Sequence, residues 1–301
     1  MSKIAFVFPG QGTQYVGMGK ELYENNDLAK NEFDKIFSSL DFDLKKVMFE
    51  GSEEELKDTK NTQPAIVAMS LVLEKLLREK GVVPNFVAGH SVGEYAAVGS
   101  AGFLSMEDAV KLTSLRGAAM SKVSAEVAGT MAAILGLDSN VIVETLKGVD
   151  GVVEAVNFNE PKQTVIAGEK EAIANACIVL KEAGARRAME LAVSGPFHSS
   201  LMQPAGEILK EALETFEFKN SEISLIANTT AKEITSVEDL KDELYRQSFG
   251  PVKWVDTITA LKAAGVTRIY EIGPGKVLNG LIKKIDKEIE VINIEKLSDL
   301  V

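Results

Sequence analysis

Apolar positions recur along the chain with two periods, one of strands and one of helices. Residues 4–8 form an unbroken apolar run, as a strand buried on both faces requires. The turn Pro9-Gly10-Gln11-Gly12-Thr13-Gln14 stops it. Residues 18–49 read as helical with mixed polarity, and Ser52-Glu53-Glu54-Glu55 is a capping-box pattern that opens a further short helix. Pro64 is expected to start a helix over 65–80, apolar most of the way round and therefore buried, which ends at Gly81. A short strand at 86–88 runs into Gly89-His90-Ser91-Val92-Gly93-Glu94. Ser105, with Asp108 three residues on, opens a helix that continues to about Val123.

Residues 126–196 have their own rhythm: strand 131–135, helix 138–147, strands 152–158 and 163–167, helix 170–183, strand 187–193. This βαββαβ order is the ferredoxin-like signature and predicts an inserted subdomain. After it come helix 203–216, strand 223–227, helices near 237–248 and 254–264, strand 267–272, helix 276–285 and strand 289–294. Strands alternating with helices imply a mostly parallel sheet flanked by helices. The expected fold is α/β, with residues 1–125 and 197–301 forming the core and 126–196 the insert.

Composition narrows the function. Of 301 residues, 46% are apolar and 26% charged, an ordinary globular mix. The single cysteine, Cys177, excludes an internal disulfide framework, falls on an apolar helical stripe, and suits a reducing compartment. A net charge of −11 argues against nucleic acid or an anionic membrane as partner. An acidic protein partner would need a local basic patch, for which Arg186, Arg187, Lys283 and Lys284 are candidates. The first apolar run is too short for a secretory signal, and no stretch reaches the ~18 apolar residues of a membrane span, so a cytoplasmic location is expected.

The chemistry begins at Gly89–Gly93, a G-x-S-x-G between an apolar strand and a small-residue helix. That is the context of a nucleophile elbow, which lifts the Ser91 hydroxyl clear of the backbone and aims the Val92 N–H at a developing oxyanion. A serine nucleophile needs a base, and the chain has only two histidines. His90 is next to Ser91 and should point away from it, which leaves His198, in the turn Ser194-Gly195-Pro196-Phe197-His198. Arg116 lies in the middle of an apolar stripe with Ala109, Leu112, Met120 and Val123. A buried guanidinium requires an anion, and spacing alone favours an internal Asp or Glu over a substrate carboxylate. The N–H of Gln11 is a candidate second oxyanion donor, beside the plainer reading of a turn after the first strand.

Eight ordered stretches carry a resemblance: FVFPGQGTQYVGMG near the start, NTQPAI at 61–66, AGHSVGEYAA at 88–97, SLRGAAM at 114–120, NFNEPKQTVIAG at 157–168, SGPFHSSLM at 194–202, RQSFGPVKW at 246–254 and EIGPGKVLNGLIK at 271–283. Together they resemble the malonyl-CoA:acyl-carrier-protein transacylase family. The resemblance implies a hydrolase-like core with a ferredoxin-like insert, Ser91 as nucleophile, His198 as base, and oxyanion donors at Gln11 and Val92. It also implies that Arg116 binds a malonyl carboxylate, that the Gln247 carbonyl orients the histidine, that Asn157 and Gln63 line or support the cleft, and that Phe197 selects malonyl over branched groups. The implied partners are malonyl-CoA and an acyl carrier protein, with neither metal nor bound cofactor, and a monomer is expected. A polyketide-pathway acyltransferase, a serine thioesterase or esterase, and a carrier-binding module without catalysis are the alternatives.

Overall fold

The structure, a computed structural model, describes residues 3–300. Six strands, β1 (Lys3–Phe8), β2 (Phe86–Gly89), β7 (Ser224–Ile226), β8 (Glu233–Ile234), β9 (Val266–Ile272) and β10 (Glu290–Ile294), make one sheet in the order β10-β9-β1-β2-β7-β8. All its neighbours are parallel except the edge pair β7–β8. The remaining strands, β3 (Gly129–Leu135), β4 (Val153–Glu160), β5 (Gln163–Glu169) and β6 (Arg187–Glu190), form a second sheet, β4-β5-β3-β6, that is antiparallel throughout.

The helices that matter for the site are α1 (Lys20–Asn25), α2 (Asp27–Ser38), α3 (Leu44–Glu50), α4 (Glu53–Lys57), α5 (Thr59–Glu79), α6 (Gly93–Ala101) and α7 (Met106–Glu126). They are followed by α8 (Ser139–Leu146), α9 (Lys170–Glu182), α10 (Gln203–Leu213), α11 (Val237–Gln247), α12 (Trp254–Ala263) and α13 (Val277–Ile285). Strand β1 shows why the apolar run is unbroken. Phe6 and Phe8 face a core shared with α5, α6 and α7, while Ala5 and Val7 face another built from Trp254, Ile258 and Leu261 of α12 and Leu278 and Ile282 of α13. Both sheet faces are covered, so alternation is lost from the sequence. In the second unit Ile134, Ile142, Ile166, Ile173 and Leu180 pack together. Its other face meets Met120 and Val123 of α7 and Phe197. Among the described residues no helix is long and apolar enough to cross a membrane.

Several expectations need correction. The helical stretch 18–49 is three helices, because Asn26 and Asp43 turn their side chains onto the N–H groups of Ala29 and Lys46 and start new ones. Helix α5 begins at Thr59, not at Pro64. Asp58 caps it, and Pro64 sits inside the helix. The close approach of α7 fixes that first turn, since a Cβ at Gly117 would lie 2.9 Å from the Lys60 Cα. Strand β6 ends at Glu190, shorter than expected, and the two-residue β8 has no apolar run to announce it. Cys177 is half-buried at the margin of the second unit's core. Strand β4 is bridged to the segment between α11 and α12 at Asn157 and Val252, closed by Phe158 N–H to Val252 C=O (2.9 Å) and Val252 N–H to Val156 C=O (2.7 Å).

Candidate active site

Strand β2 ends at Gly89 and α6 starts at Gly93, and between them Ser91 takes φ 53°, a left-handed conformation that costs a non-glycine residue about 1–3 kcal/mol. The turn is crowded. A Cβ at Gly93 would lie 2.1 Å from the Phe8 carbonyl oxygen, and one at Gly10 2.7 Å from that of His90. These two glycines let the Pro9–Gln14 turn lie directly against the elbow, which brings Gln11 to the cavity that Ser91 faces. Among the described residues neither the Gln11 nor the Val92 N–H donates to a backbone carbonyl.

The Ser91 Oγ lies 2.7 Å from His198 Nε2. His198 Nδ1 faces two carbonyl oxygens, Gln247 at 2.8 Å and Gly250 at 3.1 Å. A carbonyl oxygen only accepts, so the ring hydrogen sits on Nδ1, and Nε2 accepts from the serine hydroxyl. His198 is also left-handed, φ 66°, and its N–H donates to Ser248 C=O. Burial, and then the neighbouring Arg116 charge, push its pKa down to about 3, against the pull of the two carbonyls. The other histidine is turned away. His90 Nε2 pairs with Asn159 Oδ1 at 2.7 Å, and its ring meets Trp254 edge-on.

Arg116 is wholly buried on α7. Its Nη2 donates to Gln247 Oε1 (2.7 Å) and, weakly, to Ser91 Oγ (3.4 Å), while Nε and Nη1 have no partner. Its guanidinium carbon lies 5.3 Å from the Tyr95 ring centre. The internal carboxylate that spacing favoured is not there: among the described residues no Asp or Glu oxygen lies within 4.0 Å of this guanidinium. The nearby acid Glu94 is buried, and burial and then Glu243 push its pKa well above the usual carboxylate range. Arg116 is thus a buried cation with two unpartnered donors, close to the serine oxygen.

A cavity of about 800 Å³ opens above this pair. Gln11, Gln63, Ser91, Asn157, Phe197 and His198 line it, whereas Val92, Arg116 and Gln247 stand behind that lining. Gln63 Nε2 touches Met120 Sδ at 3.6 Å, and Gln63 Oε1 and Asn157 Oδ1 are buried acceptors without partners. The Gln247 side chain has a reach that its sequence position does not reveal. Its Oε1 takes Arg116, and its Nε2 donates 2.6 Å to the Ser91 C=O, the carbonyl of the peptide that carries the Val92 N–H. Asn228, Gly250 and Tyr95 also reach the site, and no local pattern marks them.

The fold and the site together define an acyltransferase. The chain belongs to the malonyl CoA-acyl carrier protein transacylase family: the acyl transferase domain matches residues 5–295, and full-length relatives agree. It is 44% identical over 297 residues to the malonyl CoA-acyl carrier protein transacylase of Bacillus subtilis (strain 168), covering 98% of this chain and 94% of that one. The Haemophilus influenzae protein of the same name is 41% identical over 302 residues, covering 99% and 97%. Among solved structures, MCAT from Streptococcus pneumoniae superposes with a TM-score of 0.95 at 41% identity over 99% of this chain and 98% of that one. PlMCAT, solved with the holo type II PKS acyl-carrier protein AntF, also gives 0.95, at 40% identity and the same coverage.

Proposed function

We propose that this protein moves a malonyl group from malonyl-CoA to the phosphopantetheine thiol of an acyl carrier protein through an ester on Ser91. One observation carries the reading: Ser91 Oγ lies 2.7 Å from a histidine held as a base and 3.4 Å from a buried guanidinium with unused donors. His198 Nε2 takes the hydroxyl proton as Oγ attacks the thioester carbonyl. The N–H groups of Gln11 and Val92 hold the tetrahedral oxyanion, one such donor being worth roughly 100–1,000-fold in rate. The C–S bond breaks, and coenzyme A leaves with the proton returned by His198. Arg116 clamps the carboxylate of the waiting ester, and the carrier thiol then repeats the steps in reverse. Each step falls to a group of this chain, so the proposal includes no metal and no bound cofactor.

The substrate also tunes the base. After burial, the Arg116 charge is what opposes protonation of His198. A carboxylate on Arg116 cancels that charge, so a malonyl thioester strengthens the base that its own transfer needs. With an acetyl thioester Arg116 stays bare. Single-turnover acylation by acetyl-CoA is therefore expected to stay flat from pH 8 to pH 5, because a base with its pKa near 3 remains neutral throughout. An ordinary histidine would lose roughly 30-fold by pH 5. An inflection near pH 6.5 in quench-flow data would count against this environment.

The order β4-β5-β3-β6 supports reading 126–196 as a ferredoxin-like insert in a hydrolase-like core of 1–125 and 197–301. The proposal keeps a cytoplasmic monomer, and it leaves fatty-acid and polyketide carriers as alternative acceptors. Of the candidate docking cations, Lys284 is paired with Glu160 at 3.0 Å. Intact mass tests the whole reading. Malonyl-CoA should add one malonyl group to the wild type, and holo carrier should remove it as malonyl-carrier. Prompt release of free malonate instead would mark a thioesterase.

A further inference from the structure

Strand β2 pairs with β7 in one parallel register, Phe86 with Ser224 and Val87 with Leu225. The same offset carried forward sets Asn228 opposite His90. By then the β7 backbone has left the sheet: the Asn228 N–H donates to Glu94 Oε1 at 2.8 Å, and its C=O accepts from the Lys253 N–H at 2.9 Å. The side chain continues in its place. Asn228 Oδ1 accepts from the Ser91 N–H at 2.8 Å, and Nδ2 donates to the Gly89 C=O at 2.7 Å. In a parallel ladder a residue opposite position i bonds the C=O of i−1 and the N–H of i+1. The Asn228 carboxamide makes those two bonds around His90, as a backbone peptide would.

We propose that Asn228 is a positioning residue: its side-chain amide serves as one more rung of the sheet, so that β2 stays pinned up to Ser91 and the chain leaves it at a single defined point. The residue is 1% exposed and each of its polar groups is engaged. Ser91 needs such a hold, because a non-glycine residue at positive φ persists only where its surroundings over-determine it. Glu94 closes the bracket from α6, the helix that the elbow opens, by accepting from the Asn228 backbone N–H, so strand, turn and helix are all tied to one residue. Only asparagine satisfies both ends: aspartate keeps the acceptor and loses the donor, and alanine loses both.

The proposal rests on Ser91 being the nucleophile, and its test separates the two ideas. A fluorophosphonate probe forms an Oγ–P bond on a reactive serine, releasing fluoride and the hydroxyl proton, whatever acyl group the enzyme prefers. The full-length wild type, Asn228→Asp and Asn228→Ala are labelled over time and read by intact mass, with melting curves and steady-state malonyl-CoA kinetics alongside. Both variants should stay folded, label about 100-fold more slowly, as a misplaced reacting group does, and lose kcat with KM within about twofold. They should slow malonyl and acetyl transfer by the same factor. Labelling at the wild-type rate by a folded Asn228→Ala overturns the positioning role, as does a loss that merely follows the folded fraction. A wild type that never labels overturns the serine chemistry and this proposal with it.

Discussion

His198→Ala is expected to abolish ester formation on Ser91. Removing the base of a serine nucleophile costs roughly 10⁴-fold or more in turnover, because the residues of such a unit act together. Here no second group can take over. His90 is committed to Asn159 and packed against Trp254, and the other charge beside Ser91 is the guanidinium of Arg116, which cannot accept a proton. Intact mass after mixing with malonyl-CoA should show no adduct on His198→Ala or Ser91→Ala over times that saturate the wild type. An adduct on Ser91→Ala would move the ester to another residue and sink the mechanism.

Arg116→Ala should separate malonyl from acetyl transfer. Truncating one partner of a buried, hydrogen-bonded charge pair costs about 2–5 kcal/mol, or roughly 30- to 5,000-fold. The malonyl carboxylate would lose the guanidinium beside Ser91, while an acetyl group has no charge to lose. Arg116 also holds His198 down, so its removal makes the imidazole more basic and spares acetyl transfer further. The expected result is a fall of about 10³-fold in kcat/KM for malonyl-CoA and less than tenfold for acetyl-CoA. Equal losses on the two substrates would exclude the carboxylate role.

The elbow was legible because its requirements are local: an apolar strand, small neighbours and a helix within a few residues. His198 was legible through scarcity, since with two histidines the adjacent one cannot turn back on Ser91. Arg116 was half legible. Its stripe showed that it is buried and needs an anion, but spacing pointed to an internal carboxylate that the fold does not supply. The side-chain roles of Gln247 and Asn228 were out of reach, because they act across 156 and 137 residues through amides that no periodicity distinguishes. The misplaced start of α5 has a different cause. Proline favours a first turn, but Asp58 caps the chain earlier and α7 presses the turn into shape.

The stitch at Val252 constrains how the enzyme can breathe. The segment from Gln247 to Val252 carries both acceptors of His198 Nδ1 and, two residues later, the bridge to β4. Tilting the smaller unit to admit a bulky thioester would therefore pull on the imidazole's anchor. A crosslink that fixes β4 to the α11–α12 segment should therefore leave turnover intact.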